Sequence, residues 1–228
     1  MFVGFSELKR PHNNLYISDD VDSSMENSLL EKIYSAEQNI ALFFGDKSSS
    51  PIILAGNNQE FIHYFGAQRN VPGVCHNALN NTYIVLGPNG LNIDVISHEM
   101  THAELIHRVG WFNREYEIPT WFDEGLAMML DHRYDTIGDI MWERLTLNGE
   151  FAPRLHQMEN MKGFLEVSEI SPYISYMTSK REVQRWWDIV GLQGFNEFTG
   201  LIRAGTPFKK AYSSIENKYS KSNRLAPN

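Results

Sequence analysis

His98-Glu99-Met100-Thr101-His102 constrains this chain more than any other stretch, because the pattern H-E-x-x-H makes chemical sense on a helix. There, residues four apart are offset by ~40° around the axis and stacked one turn apart, so both imidazoles can reach a single ion. Glu99 falls beside them, where a carboxylate can take a proton from a water that the metal activates and hand it to a leaving amine. The neighbouring residues supply the helix. Leu91, Val95, Ile96, Met100, Ala103, Leu105 and Ile106 recur at helical spacing and predict a long helix ending near Gly110. Apolar flanks mark it as half-buried rather than as a solvated histidine-rich face, which weighs against a coincidental match.

Donor chemistry narrows next. The only cysteine is Cys75, which excludes an internal disulfide framework and a thiolate-rich metal site, so an ion must be held by imidazole and carboxylate. Cys75 itself has two readings, a nucleophile or a passive loop or core thiol. A catalytic zinc needs a third protein ligand and an open position. His107 stands five residues past His102, hence ~140° around the helix and pointing away. A metzincin continuation fails, since Leu105 and Arg108 occupy the places where that pattern has Gly and His. Downstream, Pro119-Thr-Trp-Phe-Asp-Glu-Gly-Leu-Ala127 predicts a second helix from Trp121 to about Asp131, with Thr120 suited to the cap and Asp123 and Glu124 to the first turn. Glu124 lies 22 residues beyond His102.

These two segments together are similar to the gluzincin zinc metallopeptidases, the class that includes thermolysin and the aminopeptidase N type, and to bacterial peptidase MA-like domains. The shared features are H-E-x-x-H and, about twenty residues on, W-x-x-E-G-x-A. The resemblance implies a zincin-like fold with zinc bound by His98, His102 and Glu124, and Glu99 as general base and acid. It is closest over Leu91 to Asp131, looser over Tyr173 to Ala211 and slight before Pro51. In the looser region it implies a tyrosine facing the metal, Tyr176 first and Tyr173 second, donating its hydroxyl to an oxyanion; the competing reading is packing with a satisfied hydroxyl. The strand from Tyr83 to Leu86 resembles the edge strand that pairs with extended peptide in this class, although the fold would need a strand there without substrate. Two departures count: no G-A-M-E-N-like segment supports exopeptidase action, and Met128 stands where the thermolysin type carries an acid.

Supporting roles follow for the neighbours. Gly125 reads as a small residue letting the two active-site helices approach closely. Asp123 is either a partner for the outer ring nitrogen of a metal-binding histidine or an exposed acid in a capping turn. Trp121, Phe122, Leu126 and Ala127 form the packing face of the second helix.

At 228 residues, 42% of them hydrophobic, the chain can bury one sizeable core. The pattern predicts one α+β domain, with an N-terminal α/β lobe over about 1–110, a helical lobe over about 111–219 and a polar, frayed tail over 220–228. Strands are expected at Leu15–Ser18, Pro51–Ala55 and Thr82–Leu86, and helices at Met25–Phe44 and Asn58–Phe65, with a loop through Pro72 and Gly73. Further helices are expected at Ile137–Leu145, Tyr176–Val190, Gly194–Ala204 and from Pro207 onward.

Lys and Arg number 20 against 28 Asp and Glu, a net charge of −8 that repels a phosphate backbone, so nucleic acid is not an expected partner. The basic residues Lys209, Lys210, Lys218, Lys221 and Arg224 read as a solvated helix face, or alternatively as a docking surface for an acidic partner. No run reaches the ~18 apolar residues of a membrane span. No signal peptide opens the sequence, which implies a cytoplasmic protein if the chain is complete and a secreted or periplasmic one if a leader was removed. The expected activity is hydrolysis of a peptide or protein substrate. The alternatives are a catalytically silent zinc-binding interaction module, against which an intact Glu99 argues, and a zinc hydrolase of non-peptide substrates. Sequence leaves the oligomeric state open.

Overall fold

The computed structural model describes residues 8–66, 71–78 and 81–225, with side chains as far as residue 221. The fold is mixed α+β, with a small mixed sheet in the N-terminal part and helices beyond it. The chain divides into two compact units, residues 1–104 and 105–228.

In the first unit, β1 (Lys9–His12), β2 (Leu15–Ile17), β3 (Ile52–Ala55), β4 (Gly73–Ala78) and β5 (Asn81–Leu86) form one sheet in the order β1-β2-β3-β5-β4. β3 runs parallel to β2 and β5, while β4 is antiparallel to β5. Both faces of the central strands are covered, which is why β5 reads as an unbroken apolar run rather than an alternating one. Leu54, Tyr83 and Val85 pack with Phe61 and Ile62 of α2 (Gln59–Tyr64), and Ile84 and Leu86 on the opposite side of β5 are fully buried.

β5 is therefore an interior strand, hydrogen-bonded on both sides, and not the sheet edge that the resemblance suggested. The edge is β4, in a segment that reads as a loop. Its sequence, Gly-Val-Cys-His-Asn-Ala, has little strand propensity of its own, and pairing along the whole of β5 from Gly73↔Leu86 to Ala78↔Asn81 makes it a strand. Cys75 is accordingly a buried strand residue.

Helix α1 (Ser23–Phe44) is capped by Asp22, whose carboxylate accepts from the amides of Ser24 and Met25, and it stops at Gly45 with φ 79°. Helix α3 (Ile93–Val109), which carries His98 and His102, begins with the Asn92 side chain accepting from the Val95 amide at 3.0 Å. Glu104, on this helix, is fully buried and accepts from the amides of Ser48 at 3.1 Å and Ser49 at 2.9 Å, tying α3 to the loop before β3.

The second unit is built around α8 (Pro172–Arg203), against which α5 (Thr120–Ala127), α6 (Asp135–Thr146), α7 (Met161–Ile170) and α9 (Phe208–Leu225) pack. α8 is two helices joined at Gly191, whose φ of 60° and ψ of −172° break the ladder between the two helical stretches that the sequence predicts. A short helix, α4 (Trp111–Tyr116), precedes α5 and was not expected, nor was α7. α9 continues to Leu225, and residues 226–228 lie outside those described. Among the basic residues of this region, Lys209 pairs with Glu159 at 2.9 Å and Lys218 with Glu197 at 2.6 Å, as a solvated helix face does. Among the described residues no helix is long and apolar enough to cross a membrane.

Candidate metal centre

His98 and His102 are one turn apart on α3, their ring centroids separated by 4.9 Å and their planes inclined by 76°. His107, by contrast, is exposed on the same helix, as its angular offset requires. The third donor comes from α5. His98, His102 and Glu124 each offer one ligand atom such that the three lie within 4.8 Å of one another, and all three residues are buried.

Two imidazoles and a carboxylate are a donor set suited to a divalent transition metal, and burial removes competing water. Ligands ~2.1 Å from a tetrahedral ion stand ~3.4 Å apart, so the side chains need to close by roughly an ångström on binding. This buried group can hold a metal ion.

The segment that presents Glu124 is anchored on both sides. Trp121 and Phe122 join an aromatic cluster in which Phe122 lies 5.2 Å from Phe208 and 5.3 Å from Phe198, and Trp186 stacks on Tyr212 at 4.9 Å. Such ring pairs add orientation to simple area burial. Pro119, not Thr120, occupies the cap position, and no side chain caps the helix; the Thr120 amide instead donates to the Glu159 carbonyl at 3.0 Å.

Gly125 does serve close approach, but toward α8 rather than toward the histidine helix. A Cβ there would lie 2.5 Å from the Ser179 carbonyl oxygen and 2.7 Å from Val183 Cγ2. Asp123 is buried, which removes the reading of an exposed acid, and its carboxylate meets the Arg114 guanidinium of α4 at 2.5 Å.

Glu99 is buried and faces the start of β4: a Cβ built on Gly73 would stand 2.9 Å from Glu99 Cγ and 3.0 Å from its Oε1. Sequence reasoning missed both Gly73 and Glu104. Punctuation by Pro72-Gly73 suggested only a turn, and the partners of Glu104 are more than fifty residues away along the chain.

Tyr176 is half-buried on α8, its ring edge-on to Phe164 with centroids 5.0 Å apart. Tyr173, the second candidate, packs in the same manner against Tyr134 at 5.6 Å.

Residues 92–190 match a family described as a protein of unknown function, DUF1570. No curated protein matches the chain. The matched stretch starts at the cap residue of α3, stops one residue before the break at Gly191, and contains His98, Glu99, His102, Glu124 and Tyr176.

Proposed function

We propose that this chain is a zinc-dependent peptide hydrolase of the gluzincin type. The observation that carries the reading is the buried convergence of His98, His102 and Glu124 within 4.8 Å, with the non-ligand carboxylate of Glu99 next to His98. A binding module would need the three donors but not a fourth, buried carboxylate beside them.

Zinc, when bound, supplies a Lewis acid that polarises the scissile carbonyl and makes water acidic enough to attack near neutral pH. Glu99 Oε takes the proton from that water and delivers it to the nitrogen of the leaving amine. The Tyr176 hydroxyl donates to the oxygen on which negative charge develops. Glu104 and the aromatic cluster around Phe122 hold their respective helices, so the histidines and Glu124 do not have to be ordered at each turnover. An extended peptide adds along the outer edge of β4, its backbone forming ladder hydrogen bonds beside Glu99. This edge takes the part that sequence resemblance gave to β5.

Cleavage of a peptide library by the metal-loaded protein, followed by mass spectrometry with metal content measured in parallel, tests the proposal. Expected are cleavage by the wild type, loss with a chelator and recovery with zinc, and at least ~10³-fold lower turnover in Glu99→Gln with zinc still bound, a loss of the order general acid–base catalysis supplies. Full turnover in Glu99→Gln overturns the role of Glu99. Absence of cleavage of any peptide by the zinc-loaded wild type overturns the hydrolase reading.

A further inference from the structure

We infer that Gly73 is a positioning residue for Glu99: the absent side chain at the first residue of β4 gives the Glu99 carboxylate its place beside the sheet edge. The inference rests on the reading of Glu99 as the proton-transferring group.

Backbone conformation does not demand glycine at this position, since Gly73 is not among the glycines with positive φ. Space does. A Cβ at residue 73 would lie 2.9 Å from Glu99 Cγ, 2.9 Å from Val95 Cγ1 and 3.0 Å from Glu99 Oε1, all well inside the ~3.5–4.0 Å of favourable contact between carbon atoms.

Three features prevent the strand from retreating to make room. Gly73 is in register with Leu86 of the interior strand β5. The Gly87 amide donates to the Pro72 carbonyl at 2.9 Å. The loop leading into α3 then passes so close that a Cβ on Gly90 would be 2.0 Å from that same carbonyl oxygen. Val95 is fully buried and cannot swing away. An added methyl group must therefore be accommodated by a small shift against Val95 and by Glu99, the longer and more flexible of the two, whose carboxylate would be turned or pushed along α3. Displacement of a reacting group by about 1 Å can cost ~10²-fold in rate. Bulk at residue 73 thus selects against the working position of Glu99, since the atoms nearest the added methyl group belong to Glu99 and Val95 and not to the metal donors.

The test is a double-variant cycle on the full chain, using Gly73→Ala, Glu99→Ala and the combination, with denaturant stability, zinc content and peptide cleavage measured on each. Stability reads the contact without any reference to activity. Gly73→Ala is expected to lower the unfolding midpoint in the wild-type background and to lower it by less when Glu99→Ala has removed one of the two opposing side chains, Val95 being the other. On a cleaved peptide, Gly73→Ala is expected to reduce kcat ~10- to 100-fold with KM and zinc content unchanged.

An equal stability loss in both backgrounds, or wild-type kcat in Gly73→Ala, overturns the inference. If Gly73→Ala alone does not fold, Gly73→Ala with Val95→Ala is compared with the same pair carrying Glu99→Ala as well; folding recovered only when Glu99 is also truncated supports the inference, and recovery without that truncation, or no recovery at all, overturns it. Should the wild type cleave nothing, the hydrolase reading falls, while the stability cycle still decides whether Glu99 and residue 73 compete for one space.

Discussion

Replacing Gly125 by alanine sets two physical effects of opposite sign against each other. Alanine is the better helix former by up to about 1 kcal/mol, so propensity alone predicts stabilisation of α5. The Cβ, however, would lie 2.5 Å from the Ser179 carbonyl oxygen, 2.7 Å from its carbon and 2.7 Å from Val183 Cγ2. Two of those atoms are backbone of α8 and cannot rotate aside, so α5 and α8 must separate by roughly 1 Å to restore ordinary contact. Overpacking costs ~1–3 kcal/mol, and with backbone atoms opposing the methyl group the upper part of that range, about 2–3 kcal/mol, applies; less the ~1 kcal/mol of propensity, the net loss is about 1–2 kcal/mol. For a chain of this size that lowers Tm by roughly 2–8 °C. Gly200 provides the control, being exposed in α8 with nothing within 4 Å of its added Cβ; Gly200→Ala should raise Tm by a few degrees at most, through the same ~1 kcal/mol of propensity. Because Glu124 is the adjacent residue, Gly125→Ala should, on the proposed function, also weaken zinc binding by about 10- to 100-fold, the range typical when support for a ligand is lost. Differential scanning calorimetry and zinc titration measure both effects. A Tm for Gly125→Ala that rises in step with Gly200→Ala would refute the close-approach argument.

Two further outcomes follow from particular backbone and burial features. Burial holds the His76 imidazole below its ordinary value of 6.5, with its ring stacked on Tyr83. A depressed histidine favours folding as the neutral form, so its contribution is complete above pH ~6.5 and is lost as pH falls through the lowered folded-state value. Between pH 8 and pH 5 the wild type should therefore lose more Tm than His76→Phe, and equal losses would show that His76 does not contribute. At Gly191, φ of 60° and ψ of −172° form a conformation that L-residues resist, yet an added Cβ meets nothing within 4 Å. Gly191→Ala should therefore destabilise by ~1–3 kcal/mol through backbone strain alone, seen as a lower urea midpoint with unchanged slope; a stability equal to wild type would exclude that strain.

Legibility in this sequence follows the range of the interaction. Local signals were readable: the short helix starting near Asn58, the apolar periodicity of α1 and α3, and the gap between Val190 and Gly194 that Gly191 turns into a break. β5 was readable as a strand but not as an interior one, even though its continuous apolar run is what a strand buried on both faces displays. β4 was illegible because its strand character is conferred by β5, and α4, with no buried residue, carries no packing periodicity to detect.

The metal centre divides along the same line. His98 and His102 declare themselves because one helix turn suffices to bring them together, whereas Glu124 is singled out by the resemblance of Trp121-x-x-Glu124-Gly125-x-Ala127 to the gluzincin pattern. What fixes their usefulness is non-local. Glu104 takes its hydrogen bonds from residues 48 and 49, Gly125 makes room for residues 179 and 183, and Gly73 makes room for Glu99. Each works by leaving space or satisfying a backbone group, functions that a single residue letter does not encode. A glycine in sequence suggests a turn; only contact distances separate Gly125 and Gly73, where the missing methyl is the point, from Gly200, where nothing would object to one. The two histidines of such a candidate site can therefore be read from spacing and the carboxylate from resemblance, whereas the residues that position these groups and Glu99 become identifiable only when the elements around them are packed.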